Sequence, residues 1–181
     1  MELVDIGLQA AGSDHEIITA HLLNTSGVVK ELTYQYSSSR KALEECLNIR
    51  LVALGAAHLE TTGVKMNLAS IVAAQGQYDV ALKLYQQAEE ESMEVSAQDR
   101  RLASCRYAAN YGRCFTQLEE FANARLHLRR SRDILDSGKD NLLYRRAIEY
   151  CFGNLNLAEN KLEVARANYR SCLDAYNEDN P

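Results

Sequence analysis

Apolar residues fall three and four apart along most of the chain. Ala81, Leu84, Tyr85 and Ala88 follow i, i+3, i+4, i+7, and so do Ala108, Tyr111, Gly112 and Phe115, and Ile148, Cys151, Phe152 and Leu155. This spacing puts one apolar stripe on each of a series of helices, and every strong periodicity in the sequence is of this kind. The pattern predicts helices over about 14–33, 37–54, 60–75, 78–95, 98–118, 121–136, 141–158 and 162–176. Gly76-Gln77, Glu119-Glu120 and Glu159-Asn160-Lys161 read as tight turns, and Gly55–Leu59 and Ser137–Asp140 as longer ones. Residues 1–12 are set apart as an N-terminal tail or cap, 13–177 as one repeat domain and 178–181 as a C-terminal tail.

The helices also repeat as pairs. Leu68-Ala69, Gly76, Tyr78, Ala81, Tyr85 and Ala88 mark one unit, and Gly112, Phe121, Ala124, Leu128 and Ser131 mark the next. Gly153, Leu162, Ala165, Tyr169 and Cys172 form another, and Gly27, Tyr36, Ser39, Leu43 and Cys46 a weaker copy. The small first-helix residue recurs at 27, 69, 112 and 153, and the small second-helix residue at 39, 81, 124 and 165 keeps the same steps. Small residues let two helices approach closely while the large residue at 43, 85, 128 or 169 fills the space beside them. Pairs this short cannot bury their apolar faces alone, so stacking of neighbours must supply the core. The expected fold is an all-α solenoid of four helix pairs, with units at about 14–54, 60–95, 98–136 and 141–176.

These intervals resemble the tetratricopeptide repeat. The long period, the stretch Ala42-Leu43-Glu44-Glu45-Cys46-Leu47-Asn48-Ile49-Arg50, then Leu54-Gly55, His58, Asn67-Leu68-Ala69 and Gln75-Gly76-Gln77-Tyr78, are similar to kinesin light chain-type repeats. Two departures stand out: Ala56 and Leu59 replace the loop prolines, and Leu162 sits where Tyr or Phe is usual. The resemblance implies a right-handed α-α superhelix and a non-catalytic module that binds a peptide or partner segment in its concave groove. It also implies that basic and Asn side chains on the first helices face that peptide.

Composition fits this reading. One proline, nine glycines and no tryptophan leave little turn chemistry for a sandwich or barrel. No apolar run reaches the roughly 20 residues needed to span a bilayer. Residues 1–12 lack the basic and apolar stretches of a secretory leader, so a cytoplasmic setting is expected. Cys46, Cys105, Cys114, Cys151 and Cys172 form no Cys-x-x-Cys pair and fall within apolar patterns, as reduced core residues do. Net charge is −5 but unevenly spread: residues 1–96 hold six Lys/Arg against 13 Asp/Glu, whereas 97–146 hold 11 against six. An acidic front meets a basic third quarter.

No phosphate-binding, zinc-protease or nucleophile-elbow motif is present, and the four histidines are dispersed. No catalytic, metal or cofactor site is expected, nor a membrane or nucleic-acid partner. His58 reads as a structural hydrogen-bonding residue of the inter-repeat loop and His127 as a solvated one. Counting from the small residue of each unit places His21, Asn24, Val28 and Glu31 of the first unit in the groove. The residues singled out as partner-binding are Asn67, Ser70, Arg106, Asn110, Arg113, Tyr150 and Asn154. Asn can pair with a peptide backbone as donor and acceptor, and Arg106 and Arg113, seven apart on one helix face, can hold carboxylates. The expected partner is therefore an acidic protein or peptide. The alternatives are a self-associating structural or sensor domain, since no obvious polar capping helix follows Tyr176, and an enzyme using Tyr150, Arg113 and Cys114 around a small molecule.

Overall fold

The computed structural model describes the backbone of residues 2–92, 97–137 and 142–179 and, within these, the side chains of 15–92, 101–137 and 144–174. The described residues form eight helices joined by short turns: α1 (Glu2–Leu32), α2 (Tyr36–Leu54), α3 (Leu59–Ala74), α4 (Tyr78–Glu91), α5 (Ala97–Gln117), α6 (Phe121–Asp136), α7 (Leu142–Ala158) and α8 (Leu162–Asp179). No described residue is in a strand, and no described helix is long and apolar enough to cross a membrane. The helix expected from about residue 14 instead begins at Glu2. Gly12-Ser13-Asp14 resembles a start signal, but the flanking Ala, Leu and Glu are strong helix formers and the helix runs through it. Residues 93–96, where the fourth helix was expected to end, and 138–140 of the last long turn lie outside the described residues.

Each pair closes through the same turn. Tyr34, Gly76, Glu119 and Asn160 all have φ between 59° and 80°, one in each unit and in the register of the small residues. Beside them the chain folds back in a double hydrogen bond: the N–H of Tyr34 donates to Glu31 O at 3.0 Å, and that of Gln35 to Lys30 O at 2.8 Å. The other three turns repeat both bonds. This is the left-handed closure that ends many helices, here built on glycine only once. His58 caps α3 as expected, its Nδ1 accepting the Glu60 N–H at 3.2 Å.

Within a pair, the small column meets the large one. A Cβ on Gly27 would lie 2.6 Å from Leu43 Cγ, and one on Gly112 would lie 2.5 Å from Leu128 Cγ. At Gly153 it would collide with the Tyr169 ring. Ser39 and Ser131 are buried at this seam and donate to the carbonyls of Gly27 and Cys105, at 2.6 and 2.8 Å.

Between pairs lie three apolar clusters. Val64 and Ile71 of α3 pack with Ala20, Leu43 and Cys46; Tyr107 and Cys114 of α5 with Met66, Ala81 and Tyr85; Ile148 and Leu155 of α7 with Cys105, Ala124 and Leu128. Each fully buried side chain of this size contributes about 1.5–3 kcal/mol, so the stack is held chiefly by its inter-unit faces. First helices touch in series, α1 to α3, α3 to α5 and α5 to α7, and no pair of second helices packs comparably among the described residues. The chain therefore curves with α1, α3, α5 and α7 on its inner, concave side.

Candidate functional site

The inner surface is crossed by a chain of polar contacts between successive first helices. Arg106 Nη2 of α5 donates to Asn67 Oδ1 of α3 at 3.4 Å, and Asn67 Nδ2 donates to Asn24 Oδ1 of α1 at 3.0 Å. The helical register that puts Asn67 and Asn110 at the same repeat position also brings Asn67 over Asn24. Both ends of the Asn67 amide are thus occupied within the protein.

Ser70 and Asn154 are likewise engaged. They hold the same position in units two and four, one residue after the small column. Ser70 Oγ lies 2.8 Å from the Tyr85 hydroxyl, and the Tyr169 hydroxyl donates to Asn154 Oδ1 at 2.7 Å. Tyr85 is fully buried, and a buried phenol needs such a partner. In unit three the large residue is Leu128, which has no hydroxyl, so Arg113 at this position reaches back to Tyr85, with Nη2 3.5 Å from its oxygen.

Ser70, Arg106 and Asn110 open together onto a cleft of about 230 Å³ between α3, α5 and α7, also lined by Cys105, Ala109, Tyr144, Ala147 and Ile148. Asn110 makes no side-chain hydrogen bond among the described residues. Tyr150 is 54% exposed on α7 with its ring centroid 6.0 Å from that of Tyr169, and so offers an aromatic face beside the groove. Arg106 and Arg113 lie two turns apart on α5, roughly 10 Å at a rise of about 1.5 Å per residue. Glu31 at the end of α1 faces this row: burial raises its carboxyl above the usual range, and the charge of Arg113 partly offsets that rise. The sequence marked Glu31 as a groove position but gave no sign that it would oppose Arg113.

Cys114 and Cys151 sit beside Arg113, yet burial pushes both thiols up to about 11. Both remain protonated at neutral pH, the opposite of what a nucleophile needs.

A larger cleft, of about 580 Å³, lies on the outer side between α4 and α6. His127, expected to be solvated, lines it, stacked 5.3 Å from the Phe115 ring and tilted against Tyr111 at 5.0 Å. Leu126 and Leu128 on either side of it in sequence gave no warning, because the neighbours that cover it come from another helix. The cleft is larger than the groove cleft but electrostatically mixed, with Lys83 and Arg130 interleaved with Asp79 and Glu89. Burial, and then the charge of Arg130, hold the His127 imidazole below its ordinary range. Between that lowered value and about 6.5 the unfolded chain binds a proton that the folded chain does not. Stability is therefore expected to fall as pH drops from about 7.5 to 5.5, and His127→Phe should flatten that dependence. Urea unfolding of both proteins at the two pH values checks this; an unchanged slope in the variant would assign the dependence to other groups.

Residues 61–137, from the first turn of α3 to the end of α6, match the family model of the tetratricopeptide repeat. Comparison with curated proteins gives no match. The matched span covers units two and three, and units one and four close and pack by the same small-against-large columns; residues 61–137 form a tetratricopeptide repeat region.

Proposed function

We propose that this protein binds an extended acidic segment of a partner protein along its concave groove, as a kinesin light chain-type interaction module of a reducing, cytoplasmic compartment. Tetratricopeptide repeats generally mediate protein–protein interaction, and a solenoid's concave surface is its usual binding face. The observation that carries the acidic specificity is the state of the arginines. On the second helices, Arg125 pairs with Glu159, Arg130 with Glu89 and Arg132 with Glu149, and Arg129 is exposed to water. In the groove, Arg106 and Arg113 are half-buried, reach only Asn67 and Tyr85, and have no carboxylate within ion-pair distance among the described residues.

A half-buried guanidinium without a carboxylate in direct contact gives up hydration for little return. A partner carboxylate supplies the missing charge with two parallel hydrogen bonds. Asn110 adds a donor and acceptor for the partner's backbone, and Tyr150 an apolar platform. Asn67, Ser70 and Asn154 act in this reading by fixing Arg106 and the tyrosines rather than by gripping the peptide. The free cysteines, four of them buried, suit a reducing setting.

Fluorescence anisotropy with extended peptides of one length and acidic, neutral or basic composition tests the reading. Acidic peptides should bind most tightly and weaken as salt rises. Equal binding of acidic and basic peptides would remove the basis of the proposal.

A further inference from the structure

On the outer side, each junction of two units leaves a space between successive second helices, floored by the first helix of the later unit. The repeat lets the three junctions be compared position by position. One residue before the small first-helix column stand Leu68, Tyr111 and Phe152, and three after it Val72, Phe115 and Asn156. Three residues after the small second-helix column stand Leu84, His127 and Asn168. The earlier second helix carries, one and eight residues beyond its own small residue, Arg40 and Leu47, Leu82 and Glu89, or Arg125 and Arg132.

Two of the junctions are filled from within. At the first, Leu47, Leu68, Val72 and Leu84 pack against the apolar clusters. At the third, the Arg132 guanidinium lies 4.0 Å over the Phe152 ring and donates to Glu149 at 2.7 Å. Asn168 donates to the same carboxylate at 2.8 Å, and Arg125 bonds Asn156 at 3.3 Å and pairs with Glu159. At the middle junction Leu82 stands in place of Arg125 and Glu89 in place of Arg132. Glu89 is shorter and turns to Arg130 at 3.1 Å. Tyr111, Phe115 and His127 are left lining the open cleft of about 580 Å³ between α4 and α6. That volume is within the range of roughly 300–1,000 Å³ typical of small-molecule sites.

We propose that this cleft binds a flat, uncharged, bicyclic aromatic compound that bears a hydrogen-bond acceptor. Three observations set that chemistry. The first is shape: the same floor at the next junction carries a flat guanidinium stacked on an aromatic ring, and here three rings line the space. The second is charge. Among the residues lining the cleft, Asp79 and Glu89 offset Lys83 and Arg130, so an ionic ligand finds no surplus counter-charge to offset its lost hydration. The third is hydrogen bonding. His127 Nδ1 is buried without a partner in the protein, which leaves Nε2 as the ring nitrogen a ligand can reach. Burial keeps that imidazole uncharged at neutral pH, so its N–H is a donor that brings no charge to the site. The site lies on the outer side and does not depend on the groove reading.

The probes are indole carboxamide, indole carboxylate and indole carboxamidine, matched in ring and substitution position and differing only in charge. The protein has no tryptophan, so indole fluorescence reports the probe. The carboxamide should bind the full chain with a Kd of about 0.1–1 mM and shift the His127 ring signals in NMR in step with occupancy. Each charged probe should bind at least about threefold more weakly. Leu82→Arg, which places a guanidinium where Arg125 closes the next junction, should weaken the carboxamide by more than about fivefold. His127→Asn, which takes the residue of the equivalent unit-four position, should do the same. Val52→Arg, at an exposed residue of α2, should bind like the wild type. No saturable binding by about 3 mM overturns the proposal, and so does a carboxylate or carboxamidine that binds more tightly than the carboxamide. Unchanged affinity in either folded cleft variant, or unmoved His127 signals, overturns it too, because the probe would then sit elsewhere. Should Leu82→Arg lose helical circular dichroism, His127→Asn and the wild-type NMR shifts still decide.

Discussion

Ala124→Leu is expected to lower the unfolding free energy by about 1–3 kcal/mol, through overpacking at the seam of unit three. Ala124 is fully buried, and its carbonyl oxygen lies 3.2 Å from where a Cβ on Gly112 would stand. The same Cβ would meet Leu128, one turn along α6. The seam is thus closed from both sides, and three additional carbons have nowhere to go without parting α5 from α6. Leucine is a good helix former, so the loss cannot come from local propensity. Ala122→Leu is the matched control: that residue is exposed, two positions away on the same helix. Thermal melts should show Ala124→Leu lower by roughly 2–12 °C, for a chain of this size, and Ala122→Leu nearly unchanged. Equal melting temperatures for the two would mean that the helix-pair contact lies elsewhere.

Arg113→Glu is expected to weaken binding of an acidic segment by more than about tenfold, roughly 1.4 kcal/mol. Arg130→Glu should do much less, acting mostly on the association rate. The two arginines differ in surroundings, not in kind. Arg130 is exposed on the outer helices and already spends its charge on Glu89 at 3.1 Å. Arg113 is half-buried and held toward Tyr85, so a partner's carboxylate meets it away from bulk water, where a charge pair is worth more. Arg113→Gln removes the charge without adding an opposing one and should fall between wild type and Arg113→Glu. Glu31→Gln should act the other way and strengthen binding, because it removes the carboxylate that faces Arg113. Calorimetry at two salt concentrations separates affinity from screening. If Arg130→Glu costs as much as Arg113→Glu, the binding surface is the convex side and the groove reading fails.

How the residues divide between architecture and site was only partly legible. The small and large columns at 27, 69, 112, 153 and 43, 85, 128, 169 could be read directly, because close helix approach restricts side-chain size at each crossing whatever the surroundings. The tyrosine contacts of Ser70 and Asn154 could not be read on the same evidence. Both sit on the inward face as counted, but whether a polar side chain there is free depends on the helix opposite. In units two and four that helix carries a tyrosine hydroxyl, and in unit three it does not. Asn67 shows the same limit at greater distance: its partners, Asn24 and Arg106, are 43 residues before it and 39 after. The turns were legible by position but not by chemistry, since Tyr34, Glu119 and Asn160 adopt the left-handed conformation that a search for glycine would assign only to Gly76.

The sequence by itself determined the all-α class, the number of helix pairs, their period and the side of each helix that meets its partner. These depend on local periodicity and on the volume of one residue against another, and both are properties of short stretches of chain. Tertiary structure alone decided which groove residues are spoken for, that Glu31 opposes Arg113, that His127 is covered by Phe115 and Tyr111, and that the outer junction of units two and three stays open where the next one is filled. Each of those depends on what a distant helix places opposite, and a hydrogen bond, a charge or a buried face has no local mark in the chain until its partner arrives.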